Sequence, residues 1–255
     1  MMMSGKAFKI EIFSILNYIY ILSQDFLYLI SKEQLNKEFI FEKIYPNKNL
    51  NYYLCDDLSL ETYIKLCKFG FISTSIILEN NFYLLPEIQF EYAILDFNNL
   101  HINKKVKTLI KNSEYKFCIN RDFKSVLNQI QNYHKDSWIE ENYEKLLINL
   151  NNLKNNNSNF KLVSIELYDK NNEKLVSGEI GYMISKTYTS LTGFSSKSKV
   201  YNNWGKLQMV LLALYLEENG FDFWNLGHPY MQYKFDLGAK LYSRDDFLKR
   251  WLNSI

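Results

Sequence analysis

Near the C-terminus, the run Phe223-Trp224-Asn225-Leu226-Gly227-His228 ends an apolar stretch in groups able to bind ligands or move protons. Tyr233-Lys234 and Leu237-Gly238-Ala239 follow it. A short strand that ends in polar groups and a Gly is a common way for backbone to leave a sheet edge toward a ligand. Asn225 carries a donor and an acceptor together, so it can anchor an amine or a ribose; its plainer role is a turn residue. His228 can accept a proton near neutral pH, or it is simply a capped loop residue before Pro229. Upstream, Glu179 falls in a run that reads as a central strand, where it is either a general base or an exposed strand position. Ser190-Leu191-Thr192-Gly193-Phe194 and Gly205-Lys206-Leu207-Gln208 complete the set. No G-x-S-x-G or Cys/His pair offers a nucleophile. Cys55, Cys67 and Cys118 are too few and too scattered for a disulfide scaffold or, with the three His, a structural zinc site. A reducing, cytoplasmic setting suits them.

The elements that must hold these residues follow from periodicity. Phe8, Ile12, Ile15, Leu16, Ile19 and Leu22 recur near the helical period, predicting a helix over 7–40. Its apolar run lies behind Lys6 and Lys9 like a signal-peptide core. Glu11, the absence of a small-residue cleavage site and Asp25 speak for a buried helix and against a membrane span. Asp57 or Ser59 can cap a helix with Leu60, Tyr63, Ile64 and Cys67 on its apolar face, closed by Gly70. Phe82 to Leu85 and Tyr92 to Phe97 read as strands, Asn103 to Asn112 as a lysine-bearing helix, Tyr115 to Ile119 as a strand and Phe123 to Tyr133 as a helix. Glu140 to Leu153 is an amphipathic helix. Three strands follow over Leu162–Tyr168, Leu175–Met183 and Tyr188–Phe194, then a helix over Leu207–Glu218 and a strand over Phe223–Leu226. This order is α+β, and it resembles that of acetyltransferase (GNAT)-type acyltransferases. The expected division is a smaller mixed N-terminal lobe over 1–92 and a GNAT-like lobe over 93–255.

Composition narrows the partners little. Of 255 residues, 47% are hydrophobic, enough to bury a core, and a net charge of +2 requires any nucleic-acid contact to be local. Lys104, Lys105, Lys107 and Lys111 on one predicted helix form such a patch, or else a solvated helix face. Trp138, Phe194 and Trp224 can stack on a base or pack in a core.

Seven fragments in order, from about Leu54 to Leu252, resemble the leucyl/phenylalanyl-tRNA–protein transferases, in a divergent, eukaryotic-type branch. They are Asp57-Leu58-Ser59 before a helix ending at Gly70, Leu100-His101-Ile102, and His134-Lys135-Asp136-Ser137-Trp138-Ile139. Ser164-Ile165-Glu166-Leu167 with Leu175-Val176-Ser177-Gly178, Ser190 to Phe194, Trp224 to Gly227, and Leu237-Gly238-Ala239 with Ser243-Arg244 and Phe247-Leu248 complete them. Each alone is weak; their order and spacing carry the resemblance. Two departures stand out. Gly70-Phe71-Ile72-Ser73-Thr74 replaces the bacterial "GIFPW", removing one aromatic wall, and Asn225 stands where that branch is expected to have Asp. Asn can orient an amine but cannot take its proton.

The resemblance implies an enzyme that moves an amino acid from aminoacyl-tRNA onto a protein's N-terminal α-amine, the tagging step of an N-degron pathway of protein degradation. No cofactor is expected beyond the aminoacyl-tRNA substrate. The expected partners are that tRNA and an acceptor N-terminus, with no membrane, and the chain is expected to be monomeric. Asn225, His228 and Glu179 are the catalytic candidates. Trp138, Thr192, Gly193, Phe194, Gly205, Gln208, Tyr233 and Lys234 are candidates for the aminoacyl-tRNA end. An acyl-CoA N-acyltransferase is the alternative, as is a non-catalytic binder of tRNA or N-termini. Leu207, bulky where a pyrophosphate loop needs a small residue, argues against CoA.

Overall fold

The computed structural model describes residues 26–134, 138–153 and 159–255, together with the backbone of 7–9. The chain divides into two compact units, Met1–Phe90 with Trp138–Leu146, and Glu91–Ser137 with Leu147–Ile255.

In the first unit, β1 (Ala7–Lys9) pairs antiparallel with β2 (Phe26–Leu29), and β2 pairs parallel with β3 (Tyr53–Leu54). Between β2 and β3 lies a short helical stretch, α1 (Lys37–Phe39), prolonged by a π-turn over Ile40–Ile44 and capped by the Asn36 side chain. The helix expected over 7–40 is therefore wrong at both ends, and the run Ile12 to Leu22 lies outside the described residues. Aromatic and β-branched residues such as Phe26 and Tyr28 fit a pleated strand as well as a helix face, so apolar spacing alone does not separate the two.

Next comes α2 (Leu60–Lys68), where the Thr62 amide donates to Ser59 Oγ at 3.3 Å and Gly70 takes the left-handed turn at φ 79°. Then β4 (Ile72–Leu78) and β5 (Asn81–Glu87) form a hairpin through Glu79 and Asn80, both at positive φ. A small core of Leu27, Tyr52, Leu54, Ile76 and Leu85 holds these strands together.

The second unit is built on a seven-stranded sheet. Its elements are β6 (Glu91–Leu95), α3 (Lys104–Asn112), β7 (Tyr115–Ile119), α4 (Phe123–Tyr133), α5 (Glu141–Asn151), whose first residues belong to the first unit, β8 (Phe160–Asp169) and β9 (Lys174–Ile184). They continue with β10 (Thr187–Ser195), α6 (Trp204–Glu218), β11 (Phe223–Asn225), α7 (Gln232–Asp236), β12 (Lys240–Ser243) and α8 (Arg244–Ser254). The strand order is β12-β6-β11-β10-β9-β8-β7, and every pair is antiparallel except β10–β11. The molecule is thus mixed α+β, and the predicted succession of helix, three antiparallel strands, helix and strand is present.

Residues of β8 and β9 are buried in near-continuous runs, as expected for strands covered on both faces. The α6 helix lies on one face, buried at Leu207, Val210, Leu212, Ala213 and Leu216. On the other lies α4, whose first turn is tied down by Glu166: both carboxylate oxygens accept the Arg121 amide, and Oε1 also accepts that of Asp122. Among the described residues no helix is long and apolar enough to cross a membrane, and no group of His, Cys, Asp and Glu is placed to hold a metal ion.

Candidate functional site at the fork of two parallel strands

The parallel pairing of β10 and β11 runs only from Thr187↔Phe223 to Thr189↔Asn225. Beyond it β10 continues to Ser195 on β9 alone, while Leu226 and Gly227 exchange backbone hydrogen bonds with Ala93 of β6. The two strands therefore part at their C-terminal ends, where diverging parallel strands leave room for ligands.

Polar groups crowd both faces of the sheet at this fork. On the α6 face, Glu179 of β9 is almost wholly buried, and three donors surround it. The Tyr188 hydroxyl and Ser190 Oγ each donate to Oε1 at 2.8 Å, and Gln208 Nε2 donates to Oε2 at 3.1 Å. Ser190 Oγ accepts from Trp224 Nε1 at 2.8 Å, so the chain of bonds reaches β11. Gln208 Oε1 accepts from Ser177 Oγ. Burial raises the Glu179 pKa above the ordinary carboxylate value, and the three donors and the charge of Lys234 only partly offset it. Burial likewise pushes the Lys234 pKa down to about 8, against the pull of Glu179.

Two backbone features build this cluster. Gly181 leaves room for Tyr188, whose hydroxyl oxygen would lie 2.2 Å from a Cβ at that position. A bulge between Ser190 and Thr192 shifts the alternation of β10, so that Ser190 before it and Ser195 after it both face α6.

The opposite face holds Asn225 and its cross-strand neighbour Thr189. Asn225 Oδ1 accepts the Gly227 amide at 2.9 Å, an Asx-type turn that sets the left-handed Gly227 at φ 73°. Asn225 Nδ2 and Thr189 Oγ1, by contrast, are buried without any hydrogen-bond partner. Leaving such groups unpaired costs about 1–3 kcal/mol each, so two side by side need an explanation in what they bind.

The sequence candidates separate accordingly. Glu179, Gln208 and Lys234 converge on the α6 face, whereas Asn225 turns to the other. Lys234 is buried and donates to the carbonyls of Leu226 and His228, both at 2.6 Å, which spends most of its donors on the loop after β11. His228 is half-buried, with its ring stacked on Tyr230. Tyr233 is partly exposed, and its phenol pKa is raised by burial and by the charges of Glu179 and Tyr133.

Gly193 packs on Glu179, where a Cβ would meet the Glu179 Cβ at 2.9 Å. Phe194 is buried over Gly178, and its backbone oxygen accepts from Ser177 Oγ. Thr192 is half-buried in register with Ile180. Trp224 is wholly buried and belongs to the core.

The α6 helix starts at Trp204, earlier than the predicted Leu207, and Gly205 lets its first turn approach Ser195. Lys104, Lys105, Lys107 and Lys111 are exposed along α3. Trp138, in the first unit, is half-buried, edge-on to Tyr143 at 5.1 Å, with its carbonyl accepting from Ser75 Oγ. Residues 135–137 of its motif lie outside the described residues. Sequence reasoning missed Thr189 and Tyr188 and gave Ser190 no role beyond its motif, because the partners that make them matter are set by strand register.

A mixed α+β unit whose one parallel strand pair forks over unpaired buried polar groups has the layout of a ligand-binding site. Residues 94–252 match the model of the leucyl/phenylalanyl-tRNA protein transferase family, and the chain belongs to that family. A leucyl/phenylalanyl-tRNA–protein transferase from Colwellia psychrerythraea is 26% identical over 166 residues. That alignment covers 62% of this chain and 64% of the relative, so less than two thirds of the relative's length is spanned.

Similar solved structures include the C-terminal domain of a lysylphosphatidylglycerol synthetase from Agrobacterium fabrum (TM-score 0.47, 10% identity, covering 85% of this chain and 75% of that one). L-PGS from Bacillus licheniformis has a TM-score of 0.40 at 15% identity, covering 79% of this chain and 61% of that one. FemX has 0.44 at 12%, covering 86% of this chain and 79% of that one.

Proposed function

We propose that the chain transfers an amino acid from aminoacyl-tRNA to the N-terminal α-amine of an acceptor protein, with the reaction centred on the fork of β10 and β11. The observation that carries this reading is the unpartnered Asn225 Nδ2 beside Thr189 Oγ1, within the segment that matches the family. The aminoacyl ester is already activated, so positioning and charge stabilisation suffice. The neutral amine attacks the ester carbonyl carbon; the new C–N bond forms, the carbon–oxygen bond to the ribose breaks, and the amine proton passes to the departing 3′-oxygen. Asn225 Nδ2 donates to the carbonyl oxygen as it gains charge. Glu179 acts from the other face as a positioning residue, holding Ser190 and through it Trp224, so that β10 and β11 part at a fixed point.

His228 and Tyr233 are proposed to line the aminoacyl end, and the α3 lysines to meet the tRNA backbone; a contact of Trp138 with the aminoacyl-tRNA is a separate proposal. A GNAT-like arrangement of the second unit, a division into lobes at 1–92 and 93–255, a monomeric state and a cytoplasmic location belong to the same proposal. The protein should be incubated with a mixture of charged tRNAs and peptides of varied N-terminus. Mass spectrometry should then show one aminoacyl residue added at the α-amine. Acetyl transfer from acetyl-CoA with no tRNA-dependent product would reject the reading.

A further inference from the structure

Past the fork, the chain from Ser195 to Lys206 lines an open cleft of ≈ 470 Å³. Its walls carry Lys197, Lys199 and Lys206, the hydroxyls of Ser195, Ser196 and Ser198, and no carboxylate. Lys206 shares its charge with Asp236 at 3.5 Å, but Lys199 has no carboxylate partner among the described residues. The Lys197 ammonium lies 4.7 Å from the ring centroid of Tyr133, the last residue of α4. Tyr133 is 37% exposed, and His134 Nε2 lies 3.1 Å from the Gly193 carbonyl oxygen, fixing the end of α4 to β10. An aromatic face therefore borders a cationic cleft, and Lys197 joins the two.

We infer that this cleft and Tyr133 hold the unpaired 3′ end of an RNA, with phosphates along Lys197, Lys199 and Lys206 and one base stacked on the Tyr133 ring. This deepens the proposed function and rests on its RNA donor. Cations that track a backbone, next to a ring that accepts any base, are the physical requirements of single-strand binding. Inside a duplex both faces of each base are covered by its neighbours, so the Tyr133 contact favours unpaired nucleotides. Among the described residues no hydrogen bond joins the side chains of Lys197, Lys199 or Tyr133 to the Glu179 cluster, so these three can be changed without removing a bond from it.

Equilibrium binding of a fluorescent single-stranded RNA oligonucleotide, measured over a salt series, tests this without any transfer step. Lys197→Ala with Lys199→Ala should reduce the slope of log affinity against log salt by about 1.4, the single-strand value for two phosphate contacts. Tyr133→Ala should weaken binding by about 5- to 150-fold, with Tyr133→Phe close to wild type. A blunt RNA duplex, with only its terminal base faces uncovered, should bind more weakly and lose less than the single strand on Tyr133→Ala. An unchanged slope in the lysine variant, equal binding of duplex and single strand, or displacement by free CoA of a ligand that RNA does not displace would each overturn the assignment. Single-strand binding with this pattern in a protein inactive with charged tRNA would support the cleft and reject the proposed transfer.

Discussion

Two side chains at the fork make opposite demands. Glu179 holds a carboxyl group that is almost wholly buried, and its raised pKa has a consequence for stability. A carboxyl whose folded pKa lies above the unfolded value stabilises the fold fully below the unfolded pKa. That contribution is lost as pH rises through the folded value. Wild type measured against Glu179→Gln should thus lose relative stability as pH rises from the ordinary carboxylate range through the raised folded value, at up to about 1.4 kcal/mol per pH unit within the titrating window. Urea unfolding of both proteins across that range checks it, and a flat difference would show that the carboxyl titrates normally. Asn225 presents the reverse case, a buried amide whose donor has no partner within the protein. Asn225→Ala should change the stability of the free protein by about 1 kcal/mol or less, since relief of the unpaired group offsets the lost bond to Gly227. Transfer should nonetheless fall about 100- to 1,000-fold if the amide meets the developing charge. Asn225→Asp should lower it as well, because a carboxylate offers no donor to the developing negative charge. Steady-state kinetics with charged tRNA decide, and full activity in Asn225→Ala would remove the residue from the reaction.

At the scale of elements, the close approach at Gly181 is the sharpest constraint. A methyl there would collide with Tyr188 Oη at 2.2 Å and with the Thr189 carbonyl oxygen at 2.6 Å. Gly181→Ala should cost about 1–3 kcal/mol or more, and part of that cost should vanish in a Tyr188→Leu background. Additive costs in a thermal-unfolding cycle would show that the two do not compete for space. The strands around Gly181 were readable in the sequence because β8, β9 and β10 are long and rich in β-branched residues, and the Asp169-Lys170-Asn171-Asn172 turn joins the first two. The helices α2, α3 and α4 were equally plain, since Ser59, Asn103 and Asp122 cap them. By contrast, β4 was hidden by Ser73, Thr74 and Ser75, polar residues of which Ser73 and Ser75 are buried. The insertion of β6 between β11 and β12 pairs residues more than a hundred positions apart, and no local pattern announces it. The site shared this limit: Glu179 and Asn225 were visible as residue types, but only register puts them on opposite faces.

Over the whole molecule, the linear boundary of the family match and the grouping of the chain in space differ. The match begins at residue 94 and the second unit at Glu91, yet Trp138–Leu146 belongs with Met1–Phe90. Tyr143 shows why. Fully buried, it donates its hydroxyl to the Ser73 carbonyl, lies 3.0 Å from the Tyr63 hydroxyl and meets the Tyr63 ring edge-on. A fragment of residues 91–255 keeps every strand of the seven-stranded sheet but strips those partners from Tyr143. The exposed ring then sits on a helix beside Ile139 and Leu146, which are also buried in the full chain. Apolar patches of that kind drive association. The fragment should show native-like circular dichroism yet self-associate at concentrations where the full chain does not, and Tyr143→Lys within the fragment should reduce it. Light scattering of the three proteins checks this. A fragment no more associated than the full chain would mean that Trp138–Leu146 does not need its partners in Met1–Phe90 to stay shielded.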